Sequence, residues 1–204
     1  MPIQTRSAPP GLPQGMQVRA INLSASALPS SIDKENRRAQ FVIATSAPAV
    51  VWDWERYEYV EEVLLMGGMQ PPENGQCPMI DSHDRSSIKN LLGSYSEFTT
   101  EGEKALAWGG FSSVPDGEDA FTKVGEGHLT DCSVGYAVDT YVWIESGKTA
   151  EVEGKTYQGP LKVSTRWRIK EISLVPIGAD QDAKVRAAQD TKTKEQIMDE
   201  RLRA

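Results

Sequence analysis

The sequence lacks any run of 18 or more apolar residues, which is the length that a membrane-spanning helix needs. Its N-terminus also lacks the charged and then apolar layout of a secretory signal peptide. We therefore expect a protein that works in water, has no membrane partner and is not exported by that route.

Cysteine, histidine and positive charge are also scarce. Two cysteines, Cys77 and Cys132, are too few for a disulfide scaffold and predict a reducing compartment. Together with His83 and His128 they lack the short C-x2-C pairs of zinc sites, so we expect no metal and no cofactor. Lys and Arg number 22 against 29 Asp and Glu, and the net charge of −7 argues against a nucleic-acid partner.

Composition divides the chain into three parts. Residues 1–36 are rich in Pro, Ser, Gly and Gln and predict a disordered leader, with a pro-segment or docking arm as the alternative. Residues 37–181 predict one folded domain. Residues 182–204 are helix formers and predict a helical tail, either solvated or packed against another copy or a scaffold helix.

The folded part is rich in segments of β-branched and aromatic residues between turn-forming Gly, Pro and polar residues. This pattern predicts a mostly β fold with a few flanking helices. A short helix is expected after Pro115, with Asp116 as its cap. The predicted strands lie near residues 41–45, 49–54, 59–66, 77–80, 91–98, 104–111, 127–138, 150–153 and 161–175.

One predicted strand, Gly127–Val138, presents a serine on its polar side. Ser133 shares that side with Gly135, while Cys132 and Val134 lie on the apolar side. The glycine leaves room for a substrate carbonyl, so Ser133 is the candidate nucleophile, although a solvated serine is the plain alternative. The segment lacks the first glycine of a G-x-S-x-G elbow, and a thiol at Cys132 would be buried and inert.

A serine nucleophile needs a base and an orienting acceptor. His83 follows a short apolar strand in a polar loop and is the candidate general base, with an inert surface imidazole as the alternative. Glu171 is the candidate third member, because the alternation of apolar residues slips near Lys170 and predicts a bulge there. Asp84 is its rival, and Asp131 is a more distant one.

Three blocks follow one another along the chain: Pro78-Met79-Ile80-Asp81-Ser82-His83-Asp84, Asp131-Cys132-Ser133-Val134-Gly135-Tyr136 and Lys170-Glu171-Ile172-Ser173-Leu174-Val175-Pro176-Ile177-Gly178-Ala179-Asp180. They resemble blocks of the tailed-phage prohead maturation proteases, which are similar in fold to the herpesvirus assemblins. The resemblance covers roughly residues 40–183 and implies a closed or nearly closed antiparallel barrel with Ser133, His83 and Glu171 as its catalytic residues. Assemblins have a second histidine in the third role. Their oxyanion donors correspond to the segment around residues 166–168 here.

The resemblance also implies a function and a place. The expected activity is that of a serine endopeptidase that cleaves the scaffold or delta segment of a phage capsid precursor, co-packaged proteins and itself. It would act as a homo-oligomer inside the assembling prohead in the host cytoplasm. The resemblance is also compatible with a chain that forms the N-terminal part of a protease–capsid fusion. The alternative is a non-catalytic scaffolding or assembly protein with the same fold.

Overall fold

A computed structural model describes residues 17–18, 31–178, 183 and 185 of the chain. Within these residues it contains twelve strands, one α-helix and two short 3-10 turns at Met66–Gly68 and Ile88–Asn90. The elements are β1 (Gln17–Val18), β2 (Arg38–Thr45), β3 (Ala49–Asp53), β4 (Glu58–Leu64), β5 (Met69–Gln70), β6 (Cys77–Asp81), β7 (Leu91–Glu101), β8 (Lys104–Phe111), α1 (Pro115–Gly125), β9 (Asp131–Ile144), β10 (Thr149–Val152), β11 (Lys155–Gln158) and β12 (Leu161–Val175).

The mostly β class predicted from the sequence is confirmed. The helix is present as well, but the prediction of Asp116 as its cap is wrong, because Val114 occupies the cap position and Pro115 the first turn. A proline there needs no amide partner and has the backbone angle that a helix requires. Asp116 lies in the first turn instead, where its negative charge interacts favourably with the positive end of the helix dipole.

Strand β12 is the centre of a ten-stranded sheet, whose main order is β1-β9-β12-β6-β7-β8-β2. It pairs with β9 in antiparallel fashion over nearly its whole length and with β4, β5 and β6 in parallel fashion one after another. The prediction of an antiparallel sheet is therefore wrong at β12. The long strand β12 forms parallel ladders with three shorter strands, β4, β5 and β6.

The sheet is not closed into a barrel, so the expectation of a closed barrel is wrong for the described residues. The pairing ends at β2 on one side and at β9 and β1 on the other. The two ends still approach each other, since the Cys132 thiol lies 3.2 Å from the carbonyl oxygen of Val42. Val185 lies in the gap, where it bridges Phe41 and donates its N–H to the Thr130 carbonyl at 2.9 Å.

The predicted leader and tail lie mostly outside the described residues. Within residues 1–36, β1 is a strand and residues 31–36 belong to the fold through a bridge between Asp33 and Arg38. Within the predicted helical tail, Ala183 and Val185 are described. Both are buried, and Val185 forms a bridge rather than a helical turn.

The main hydrophobic core is built mostly from side chains of β2, β6, β7, β8, β9 and β12 together with α1. Its largest fully buried side chains include Trp167, Tyr95, Tyr136 and Phe41. The Trp167 indole also donates to the Leu65 carbonyl at 2.9 Å, so its polar atom is satisfied inside the core. No helix among the described residues is long and apolar enough to cross a membrane.

A second buried feature is an ionic cluster at Lys162. Its ammonium group lies 2.7 Å from Asp53 and 3.9 Å from Glu62, and all three side chains are at most 4% exposed. Glu62 also accepts hydrogen bonds from Tyr136 and Ser164. Burial alone raises the pKa of Asp53, but the hydrogen bonds from Lys162 and from backbone amides outweigh burial and hold that pKa below its ordinary value.

Replacing Lys162 with methionine is expected to destabilise the fold by about 3–5 kcal/mol, because it leaves two buried carboxylates without their cation. The double variant Asp53→Asn with Lys162→Met removes one of those charges and is expected to recover part of the loss. Urea unfolding followed by tryptophan fluorescence measures both. A Lys162→Met protein as stable as the unsubstituted chain would show that the cluster contributes nothing to stability.

Candidate active site

A tight turn after β6 presents His83 to the central strand. The Asp84 amide donates to the Asp81 carbonyl at 2.8 Å, and the two residues between them, Ser82 and His83, both have positive φ angles of 46° and 61°. Two positive φ values at the centre of a turn are usually supplied by Gly, Asn or Asp. Such strained positions cluster at functional sites.

Two hydrogen bonds fix this turn to β12. The Ser82 amide donates to the Leu174 carbonyl, and the His83 amide donates to the Ser173 hydroxyl oxygen, each at 3.0 Å. The first bond continues the parallel pairing of β6 with β12 for one residue beyond the strand. The backbone that carries the imidazole is therefore held by a carbonyl group and a side-chain hydroxyl group of β12.

The His83 imidazole meets the Glu171 carboxylate, with 2.7 Å between Nδ1 and Oε1. Glu171 is 4% exposed and His83 13% exposed at the side chain. Because a carboxylate can only accept, Nδ1 carries the proton in this pair and Nε2 is the basic nitrogen. Nε2 is buried and has no hydrogen-bond partner among the described residues. A buried nitrogen of this kind is available to a reacting group.

The predicted bulge explains why Glu171 reaches the histidine. The register between β12 and β9 shifts between Ile169 and Glu171, which confirms the slip expected near Lys170. Beyond the shift, Ile172 and Leu174 lie in the core, and Glu171 and Ser173 share the other face. Without the extra residue, Glu171 would point to the opposite side of the sheet.

Ser173 was missed by the sequence reasoning. It is fully buried, and its hydroxyl group lies 2.8 Å from Glu171 Oε2 and 3.2 Å from His83 Nδ1. Since its proton goes to the carboxylate, its oxygen is left to accept the His83 amide. Ser173 is thus a positioning residue for the pair. The signal that could have revealed it is its spacing of two residues from Glu171 on the same side of a strand.

Ser133 lies directly opposite Ser173 in the antiparallel ladder between β9 and β12. Opposed residues in such a ladder have Cβ atoms roughly 5 Å apart and point to the same face. Ser133 therefore lies on the same face of the sheet as Ser173 and Glu171, the face that His83 contacts. Ser133 is 1% exposed, and its neighbours in β9 from Asp131 to Tyr136 are buried as well.

The rival carboxylates point elsewhere. Asp84 accepts the Ser86 amide at 2.8 Å, and hydrogen bonds from Ser86 lower its pKa. Asp131 accepts from Thr130 at 2.8 Å and from the Gly178 amide at 3.0 Å. Of the three carboxylates considered from the sequence, Glu171 is the one that contacts His83.

One cation joins the pair from the loop. The Arg85 guanidinium donates to Glu171 Oε1 at 3.0 Å. That oxygen therefore accepts hydrogen bonds from both Arg85 and His83. The guanidinium therefore helps to hold the carboxylate in position for the histidine. Glu171 and Arg85 also line a cavity of about 320 Å³, whose rim includes the 91% exposed Ile88.

The remaining candidate residues lie apart from this pair. His128 is 76% exposed at the side chain, 3.8 Å from Glu126, and lines a separate cavity of about 530 Å³. Arg166 and Arg168, near which oxyanion donors are expected by resemblance, both pair with Asp139.

The cysteines do not form a reactive or metal-binding group. Burial raises the pKa of the Cys77 thiol to about 12, so it is protonated at neutral pH. The described residues contain no group of three or more His, Cys, Asp or Glu side chains able to hold a metal ion.

The strain in the histidine turn can be measured with Ser82→Gly and Ser82→Ala. Both remove the hydroxyl that bonds Asp81 at 2.7 Å, but only glycine relieves the positive φ. We expect the glycine variant to be more stable than the alanine variant by about 1–2 kcal/mol in urea unfolding. Equal stabilities would show that the turn is not strained at Ser82.

Comparison of the chain with models of known protein families, with curated proteins and with solved structures finds no match.

Proposed function

We propose that this chain is a serine endopeptidase with Ser133 as nucleophile, His83 as general base and Glu171 as the orienting carboxylate. The observation that carries the proposal is the 2.7 Å contact between His83 and Glu171, made across 88 positions of sequence in the same layer as Ser133. Ser133 lies opposite Ser173 on the neighbouring strand, and Ser173 contacts both His83 and Glu171, which supports a shared role for the three residues. Fixed carboxylate, imidazole and hydroxyl groups are the machinery of acyl transfer to serine.

In the first step the Ser133 hydroxyl adds to the carbonyl carbon of a peptide bond while His83 Nε2 takes its proton. Glu171 stabilises the imidazolium that forms, and Arg85 and Ser173 hold Glu171 in place. The imidazolium then protonates the leaving amine, the C–N bond breaks and an acyl ester remains on Ser133. Water, deprotonated by the same nitrogen, hydrolyses the ester and restores the serine.

This cycle requires Nε2 and the Ser133 hydroxyl to come within hydrogen-bonding distance. Nε2 has no such partner among the described residues, and Ser133 is buried. Substrate binding must therefore open the layer to the peptide and tighten the contact between base and nucleophile.

The substrate and setting follow from the resemblance of the three sequence blocks to prohead maturation proteases. On that basis the substrates are the scaffold or delta segment of a capsid precursor and the chain itself, cut by a homo-oligomer inside an assembling prohead. We also propose the nearly closed assemblin-like form of the sheet. The approach of Cys132 to Val42, with Val185 between β9 and β2, supports it.

The burial of Ser133 favours a second candidate, a scaffolding or assembly protein with this fold and no turnover. A nucleophile that is 1% exposed cannot meet a peptide without rearrangement. In that case the His83–Glu171 pair is a structural contact that fixes the turn after β6 to the sheet.

The test is to mix the purified chain with the capsid precursor and to follow cleavage by gel and mass spectrometry. The peptidase predicts a shortened precursor with the unsubstituted chain and an intact precursor with Ser133→Ala. Ordered assembly of an intact precursor in both cases would favour the scaffolding protein.

A further inference from the structure

The edge of β9 that faces away from β12 binds extended chain on both sides of Ser133. On one side, Gln17 and Val18 of β1 pair with Tyr136 and Gly135. On the other, the Cys132 amide donates to the Ala183 carbonyl at 3.3 Å, and Val185 donates to Thr130 at 2.9 Å. These contacts are made by backbone groups, which recognise an extended peptide largely independently of its side chains.

The direction of β1 bears on the candidate nucleophile. Because the pairing is antiparallel, one step along the chain from Gln17 to Val18 moves its partner from Tyr136 to Gly135, toward Ser133. Neighbouring strands lie about 4.8 Å apart. A peptide that continues in this register passes Ser133 within one strand spacing, which is where a scissile carbonyl has to be held.

We propose that the edge of β9 from Ser133 to Tyr136 is the docking site for a substrate peptide, which adds to the sheet as an antiparallel strand, and that β1 is an occupant from the same chain that competes with it. This inference rests on the proposed peptidase function and extends it to substrate recognition. Ser133, beside this edge, is 1% exposed, so a peptide bound there reaches its hydroxyl group only after a rearrangement.

The experiment measures binding separately from cleavage. The probe is a fluorescein-labelled synthetic peptide with the sequence of residues 11–26, and binding to full-length Ser133→Ala is read by fluorescence anisotropy. Two further proteins also carry Ser133→Ala. The first has Gln17→Pro and Val18→Pro in addition, and the second has Gln4→Pro in addition. Proline removes the amide needed for pairing, so the double change is expected to release the edge, and Gln4→Pro is the matched control.

The expected result is that the double-proline protein binds the peptide about tenfold or more tightly than both the Ser133→Ala chain and the Gln4→Pro control, because a tethered competitor acts at a high effective concentration. If the double-proline protein fails to fold, Gln17→Gly with Val18→Gly takes its place. Equal binding to all proteins, or binding to none, would overturn the docking site.

Cleavage assays with Ser133 intact separate the two proposals. Tighter peptide binding with no proteolysis by any form would leave the docking site in place and refute the peptidase. Normal proteolysis with no change in binding or rate in the double-proline protein would leave the peptidase in place and refute the docking site.

Discussion

Replacing Ser133 or His83 with alanine is expected to reduce cleavage of the capsid precursor by on the order of 10⁴-fold or more. The first change removes the nucleophile, and the second removes the group that takes its proton. In sites of this kind either loss leaves only the residual rate from substrate binding and oxyanion stabilisation. Initial rates of precursor cleavage, measured by densitometry, check the effect.

Two matched variants control for simpler explanations. His128→Ala removes the other histidine, which is exposed and contacts Glu126, and is expected to leave the rate unchanged. Ser173→Ala removes the neighbouring buried serine and is expected to slow cleavage only about tenfold, through a looser Glu171. Full activity of Ser133→Ala, or a complete loss in Ser173→Ala alone, would place the nucleophile elsewhere.

Glu171→Gln is the second large expected effect. An amide in this position keeps the shape of the side chain but can present its N–H₂ group to Nδ1, which favours the wrong tautomer and removes the charge that stabilises the imidazolium. We expect turnover to fall by about 10²–10⁴-fold while some activity remains. Initial rates of precursor cleavage at saturating precursor concentration measure the change.

Asp84→Asn is the matched control, because Asp84 is adjacent to His83 in sequence yet bonds Ser86 in the structure. It is expected to retain nearly full activity. A crippled Asp84→Asn protein beside a normal Glu171→Gln protein would show that the orienting carboxylate was assigned wrongly.

Much of the local structure was predictable, because it depends on residues close together in sequence. The alternation of residues around Ser133 placed Cys132 and Val134 in the core, where they lie. The slip of the apolar pattern near Lys170 located the bulge that turns Glu171 toward the site. These features follow from the two-residue period of a strand and its interruption.

The features that the sequence did not reveal depend on distant pairing or on unusual backbone angles. Nothing local shows that β12 runs parallel to β6. The spacing of Ser173 from Glu171 puts both residues on one side of a strand, but it does not show that Ser173 lies between Ser133 and the histidine turn. The turn itself has non-glycine residues in left-handed conformations, which propensities disfavour. The bridge of Val185 to Phe41 likewise joins residues far apart in sequence.

The most direct test of the central claim is to treat the purified chain with a reactive fluorophosphonate and to locate the adduct by tandem mass spectrometry. The account predicts one adduct, on Ser133, which is absent from His83→Ala because the hydroxyl is no longer activated. An adduct on Ser173 or another serine, or no adduct in a preparation that cleaves the capsid precursor, would contradict it.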